Sequence, residues 1–89
     1  MILWRLEVAP ASEGTLARLS TKVAAAIVEF LVSPLLAAPG IVGKPLQREL
    51  ESYHVVRRGA YRIIYRIMAE ERVVRVVRIE HRADAYRQR

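Results

Sequence analysis

The last third of the chain holds the residue types needed to break a phosphodiester without a metal. Arg62, His81, Arg82 and Tyr86 lie within it, and Arg57 stands just before it. Such a cleavage needs cationic donors for the developing phosphorane charge, a group that assists deprotonation of a 2′-hydroxyl, and an acid for the leaving oxygen. Arginine supplies the donors in a planar fork suited to phosphate. Histidine, with an ordinary pKa of about 6.5, can exchange a proton near neutrality. Arg57 and Arg62 fall on adjacent strand patterns and His81-Arg82-x-x-x-Tyr86 closes the chain, so a folded-back sheet would let them converge on one concave face. Each residue also has a plainer use. Arg62 can be a solvated strand residue, His81 can pair with Glu80 or Asp84 or cap the last element, and Tyr86 can anchor the tail on the core.

Other chemistries are poorly supplied. There is no cysteine, which removes disulfides, thiolate metal sites and thiol nucleophiles together. His54 and His81 are the only histidines, and no His-x-x-x-His or carboxylate cluster has ligand spacing, so no metal or other cofactor is expected. The Gly40-Ile41-Val42-Gly43-Lys44 stretch lacks the four-residue spacer of a phosphate loop and the Ser or Thr after its lysine. Ser12, Ser20, Ser33 and Ser52 stand at plausible caps and turns.

The charge points the same way. The 89 residues carry a net charge of +6, and 13 of the 15 cations are arginine. Up to Gly43 three cations balance three acids; from Lys44 onward twelve cations face six acids, so the entire excess lies in the second half. A polyanionic partner is the leading inference. The hydrophobic fraction of 53% is too high for a disordered chain, and the length suits one domain over residues 1–89. No signal peptide is apparent, because Arg5 and Glu7 follow Met1 closely. Val23 to Pro39 is apolar but interrupted by Glu29, Ser33 and Pro34, which reads as a buried helix with no membrane partner; a cytoplasmic location is expected.

The elements that must position these residues follow from periodicity. Ile2 to Val8 alternates as a strand with Trp4, Leu6 and Val8 on its buried side. After Pro10, Ser12 is placed to cap a short helix that carries Leu16 and Leu19 inward and ends near Ser20. A second helix starts at Thr21, puts Val23, Ile27, Phe30 and Leu31 on one face, and is expected to end or bend at Pro34. Ala38 to Pro45 reads as a loop. Three strands follow, Tyr53 to Arg58, Tyr61 to Met68 and Arg72 to Ile79, joined by Gly59-Ala60 and Ala69-Glu70-Glu71 as an antiparallel meander. In the middle strand Tyr61, Ile63, Tyr65 and Ile67 share an apolar face, with Arg62, Ile64, Arg66 and Met68 on the other. The fold class is therefore α+β: a strand, an αα-hairpin, then a three-stranded meander, with the first strand placed beside the last.

Two runs in this half carry a family resemblance. Tyr53 to Arg66 (YHVVRRGAYRIIYR) and Val73 to Tyr86 (VVRVVRIEHRADAY) resemble the RelE family of bacterial toxins in the RelE/ParE superfamily. The most specific parts are Gly59-x-Tyr61-Arg62-x-x-Tyr65 and His81-Arg82-x-x-x-Tyr86, and the Lys44-Pro45-Leu46 approach also fits. The resemblance implies a fold related to microbial ribonucleases and a metal-free endoribonuclease that cuts mRNA in the A site of the 70S ribosome through the 2′-hydroxyl. It also implies a cognate RelB-like antitoxin, through which alone DNA would be contacted. By the same resemblance Arg62 contacts the scissile phosphate, Arg82 stabilises charge or the leaving group, and Tyr86 stacks on or helps activate the cleaved nucleotide. His81 is a further catalytic candidate. Arg57, Arg58, His54, Arg66, Arg75, Arg78 and Lys44 are the expected RNA-binding set. Many members place two basic residues on the strand before the arginine; here His54, Val55 and Val56 precede Arg57 and Arg58. The ParE branch of the superfamily supplies the alternative, a toxin that inhibits DNA gyrase by binding and has no use for a nuclease constellation.

Overall fold

The computed structural model describes residues 4–46 and 52–83. Strand β1 (Arg5–Val8) leads into helix α1 (Pro10–Arg18) and helix α2 (Thr21–Phe30). A short helix α3 (Pro39–Val42), a two-residue strand β2 (Lys44–Pro45) and three longer strands follow: β3 (Tyr53–Arg58), β4 (Tyr61–Met68) and β5 (Val73–His81). The five strands form one sheet in the order β1-β5-β4-β3-β2. The expected α+β class, helical hairpin and meander are all present, and β1 lies parallel to β5 with Leu6 opposite Val74. Of the expected first strand, Ile2 and Leu3 lie outside the described residues.

Several local expectations are corrected. Ser12 does not cap α1; Ala9 holds the cap position and Pro10 opens the helix, where its missing N–H is no loss. Ser12 is instead buried, its hydroxyl donating to the Val76 carbonyl at 3.3 Å. Ser20 caps α2 by accepting from the Val23 N–H at 3.2 Å. Of the two outcomes expected at Pro34, an end is excluded, because residues Leu31–Leu35 widen into a π-helical turn around it and helical backbone continues to Ala37. The wider turn accommodates a ring that would otherwise clash with the preceding carbonyl. The stretch read as a loop contains α3 and β2, which pairs Lys44 with Val55 and Pro45 with His54.

One face of the sheet meets the helices. Ile27, Leu31 and Leu35 pack against Ile63, Tyr65, Val74, Val76 and Ile79, all buried, and each contributes about 1.5–3 kcal/mol by leaving water. Gly59, at the first position of the two-residue β3–β4 loop, has φ of 64°, which glycine tolerates and II′ hairpin turns use. Arg72 also adopts a positive φ, 60°. It closes the β4–β5 turn with its N–H on the Ala69 carbonyl, so β5 begins at Val73 rather than at Arg72 as expected.

Candidate functional site

Strand pairing arranges the cations of the second half into rows on the sheet face that points away from the helical core. Arg57 of β3 lies directly opposite Arg62 of β4, and Arg62 lies opposite Glu80 of β5. The next row is Val55, Ile64 and Arg78, and beyond it come Tyr53, Arg66 and Arg75, with Glu7 of β1 at the end. Residues directly opposite on one face have Cβ atoms roughly 4.5–5.5 Å apart. Arg57 and Arg62 are therefore neighbours.

A β-bulge makes this arrangement possible. Going down the pair from Tyr61 opposite His81, the register holds to Ile64 opposite Arg78, then shifts so that Tyr65 meets Val76. Val77 is the extra residue. A strict two-residue alternation from Val74 and Val76 would send Arg78 and Glu80 toward the helices; the bulge reverses the parity and buries Ile79 instead.

Counter-charges separate the cations by availability. Arg78 forms an ion pair with Glu80 at 3.0 Å, and Arg75 approaches Glu7 at 3.9 Å. Arg66 lies over the Tyr53 ring, 5.7 Å from its centroid, and its Nε donates to the Ser52 hydroxyl at 3.3 Å. Among the described residues, Arg57, Arg62 and Lys44 have no carboxylate within ion-pair distance. These three line one groove of about 530 Å³ with Val42, Val55 and Val56.

Lys44 reaches this groove because of Tyr65. The Tyr65 side chain is fully buried, and its hydroxyl donates to the Pro39 carbonyl at 2.6 Å, fixing α3 against the sheet just ahead of Lys44. Burial pushes the phenol above its ordinary pKa, and a hydrogen bond with the Gly43 backbone pulls partly the other way. The phenol therefore stays protonated, as a donor must. At Gly43 a Cβ would lie 2.8 Å from the Val55 carbonyl and also run into the Tyr65 hydroxyl. Only glycine lets the chain pass here.

Other expected site residues are placed elsewhere. His54 and Arg58 alternate to the helix side: His54 stacks on Tyr65 with ring centroids 5.5 Å apart, and Arg58 lies over the Phe30 ring at 5.5 Å. His81 does not share a face with Arg62. It packs edge-on against Tyr61, and its Nδ1 accepts the Ala83 N–H at 3.1 Å, so it caps the turn that follows β5. Arg82 returns to the right end of the sheet, its N–H bound to the Ala60 carbonyl at 2.8 Å in the loop between Arg57 and Arg62. Tyr86 lies outside the described residues. Glu80 and Tyr65 carry roles that residue type alone did not single out. The only advance signal for Glu80 is the Val-Val-Arg-Val-Val-Arg run, a three-residue repeat that breaks strand alternation. A larger groove of about 1020 Å³ lies between α1 and β5, lined by Gly14, Arg18, Tyr61, Arg78 and His81 among others. It follows the edge of β5 beyond Val76, where the pairing with β1 stops.

A family model for the ParE toxin of type II toxin-antitoxin systems matches residues 6–86. Toxin RelG of Mycobacterium tuberculosis is 47% identical over 70 residues, covering 79% of this chain and 80% of the relative. The chain is a RelE-type toxin of the RelE/ParE superfamily. Toxin RelE of the same organism is 46% identical over 81% of the chain and 74% of its own length. The toxin's fold superposes on the toxin-antitoxin complex RelBE2 of M. tuberculosis with a TM-score of 0.83 at 36% identity, covering 90% of this chain and 99% of that one. The intact RelBE complex of E. coli gives 0.75 at 21% identity, over 88% and 95% of the two chains, which supports the fold alone. The overall fold of the toxin is thus shared with these structures.

Proposed function

We propose that this toxin is a metal-independent endoribonuclease that cuts mRNA in the ribosomal A site and so arrests translation. The observation that carries the proposal is the Arg57–Arg62 pair. Two arginines directly opposite one another on adjacent strands, without a described counter-carboxylate and joined by Lys44 in lining one groove, form a site for a phosphodiester. In the reaction the 2′-hydroxyl loses its proton and its oxygen bonds to the adjacent phosphorus. The bond from phosphorus to the 5′-oxygen breaks, and that oxygen takes up a proton. Arg62 and Arg57 donate to the non-bridging oxygens as charge accumulates there. Arg82, tied to the neighbouring loop, serves the leaving side. Tyr86 acts as the nucleotide-stacking residue. Glu80 holds Arg78 away from the pair and bounds the site on the β5 side.

A cognate antitoxin is the second part of the proposal. It is supported by related toxins whose structures are complexes: RelBE2 of M. tuberculosis, and RelBE of E. coli. The ParE description of the family model favours one further reading, a toxin that acts by binding alone. Primer extension on a translated transcript separates the two, since only the nuclease produces ribosome-dependent breaks within codons.

A further inference from the structure

We propose a second phosphate subsite at Arg66 and Arg75, which holds another phosphodiester of the same RNA strand and so extends recognition beyond the cleaved bond. This inference rests on the nuclease reading for the first site but is tested without cleavage. The two outer rows of the basic face repeat one pattern: Arg57, Arg62, Glu80 at one end and Arg66, Arg75, Glu7 at the other. In each, two arginines stand directly opposite one another and an acid lies on the next strand. Like charges so placed oppose folding, and the sheet carries two such crossings on one face.

The second crossing is prepared for a ligand. Arg66 is oriented by groups that leave its charge intact, the Tyr53 ring and the Ser52 hydroxyl. Arg75 meets Glu7 at only 3.9 Å, with both side chains nearly half exposed, a pairing that water and salt weaken. Between the two crossings lie Val55 and Ile64, an apolar step on β3 and β4 whose row ends on β5 in Arg78, a cation already paired with Glu80. Arg66 lies four residue steps beyond Arg62 along β4, roughly 13 Å at strand spacing. On β3 and β4 the face therefore presents cations, an apolar step and cations again, with the Tyr53 ring, one side of it under Arg66, at the far end. Single-stranded nucleic acid has this alternation of phosphates and stacking bases. An acidic peptide would match the cations but has no matching use for the aromatic ring.

The test uses a fluorescent 2′-O-methyl RNA oligonucleotide, which cannot be cleaved through the 2′-hydroxyl, and measures its affinity for the whole toxin across salt concentrations. Arg66→Gln and Arg75→Gln should each weaken binding several-fold and lower the slope of log affinity against log salt by about 0.7, the loss of one single-strand phosphate contact. Arg66→Lys should restore most of the slope but not the full affinity, because lysine keeps the charge without the planar face over Tyr53. Thermal unfolding should show no loss of stability in Arg66→Gln. Unchanged affinity and slope in both glutamine variants would overturn the subsite, as would failure of the wild-type toxin to bind the oligonucleotide. Loss of mRNA cleavage in Arg62→Ala is a separate readout, so the failure of either proposal is recognisable by itself.

Discussion

Arg57 and Arg62 face each other across the β3–β4 pair, with the Gly59-Ala60 loop between them in sequence and no described carboxylate in ion-pair reach of either. A pair of this kind opposes folding by roughly 0.2–1 kcal/mol. Substitution should therefore separate stability from activity. Arg62→Ala should reduce mRNA cleavage by about 100-fold or more, a loss typical of removing one transition-state donor, while the melting temperature holds or rises. A fall in both together, read by cleavage kinetics and calorimetry, contradicts the assignment.

Tyr65 is expected to act at a distance from the phosphate. Tyr65→Phe leaves the buried Pro39 carbonyl without its donor and should cost about 1–3 kcal/mol. As Lys44 loses its fixed approach, KM should rise more than kcat falls. Burial raises the folded-state pKa of the phenol above 10.0. The corresponding stability is fully present below about pH 10 and is lost as pH climbs through the raised value. Wild type should therefore show an alkaline loss of stability that Tyr65→Phe lacks, measurable by denaturant unfolding between neutral pH and pH 11.

Gly43 tests the same support from the backbone side. A Cβ there meets the Val55 carbonyl and the Tyr65 hydroxyl, so Gly43→Ala should destabilise by roughly 1–3 kcal/mol through overpacking. Gly40→Ala, where a Cβ meets nothing within 4 Å, is the matched control and should leave stability nearly unchanged. Equal melting temperatures for the two variants would show that the α3–β2 passage is not tight.

Deleting Val77 should remove the bulge. Arg78 and Glu80 would then turn toward the helices and Ile79 toward solvent, so the variant should fold poorly or not at all, whereas Val77→Ala should fold. Circular dichroism and solubility of the two variants distinguish a needed extra residue from a needed side chain.

The sequence made the meander, the helical hairpin and the place of β1 legible, because each rests on periodicity and turn chemistry acting over short range. Arg57 and Arg62 were legible as a pair for the same reason: a two-residue loop fixes their register. What escaped depended on contacts made across the fold. Lys44-Pro45 is a strand only because β3 offers it an edge, and Pro34 is tolerated only because the helix around it widens. The bulge at Val77 decided which face Arg78 and Glu80 occupy. His54 and Arg58 are basic residues on the right strand but on the alternate positions, and His81 is drawn to Tyr61 and to the Ala83 N–H. Residue type marked them as candidates, and alternation moved them off the site.

The most direct test of the central claim is primer extension on a translated mRNA incubated with 70S ribosomes and the toxin, comparing wild type with Arg62→Ala. A nuclease acting through Arg62 gives breaks within A-site codons that require the ribosome, need no added divalent ion beyond the ribosome's own, and vanish in the variant. Intact mRNA with the wild-type toxin, under conditions where it still arrests growth, would contradict it.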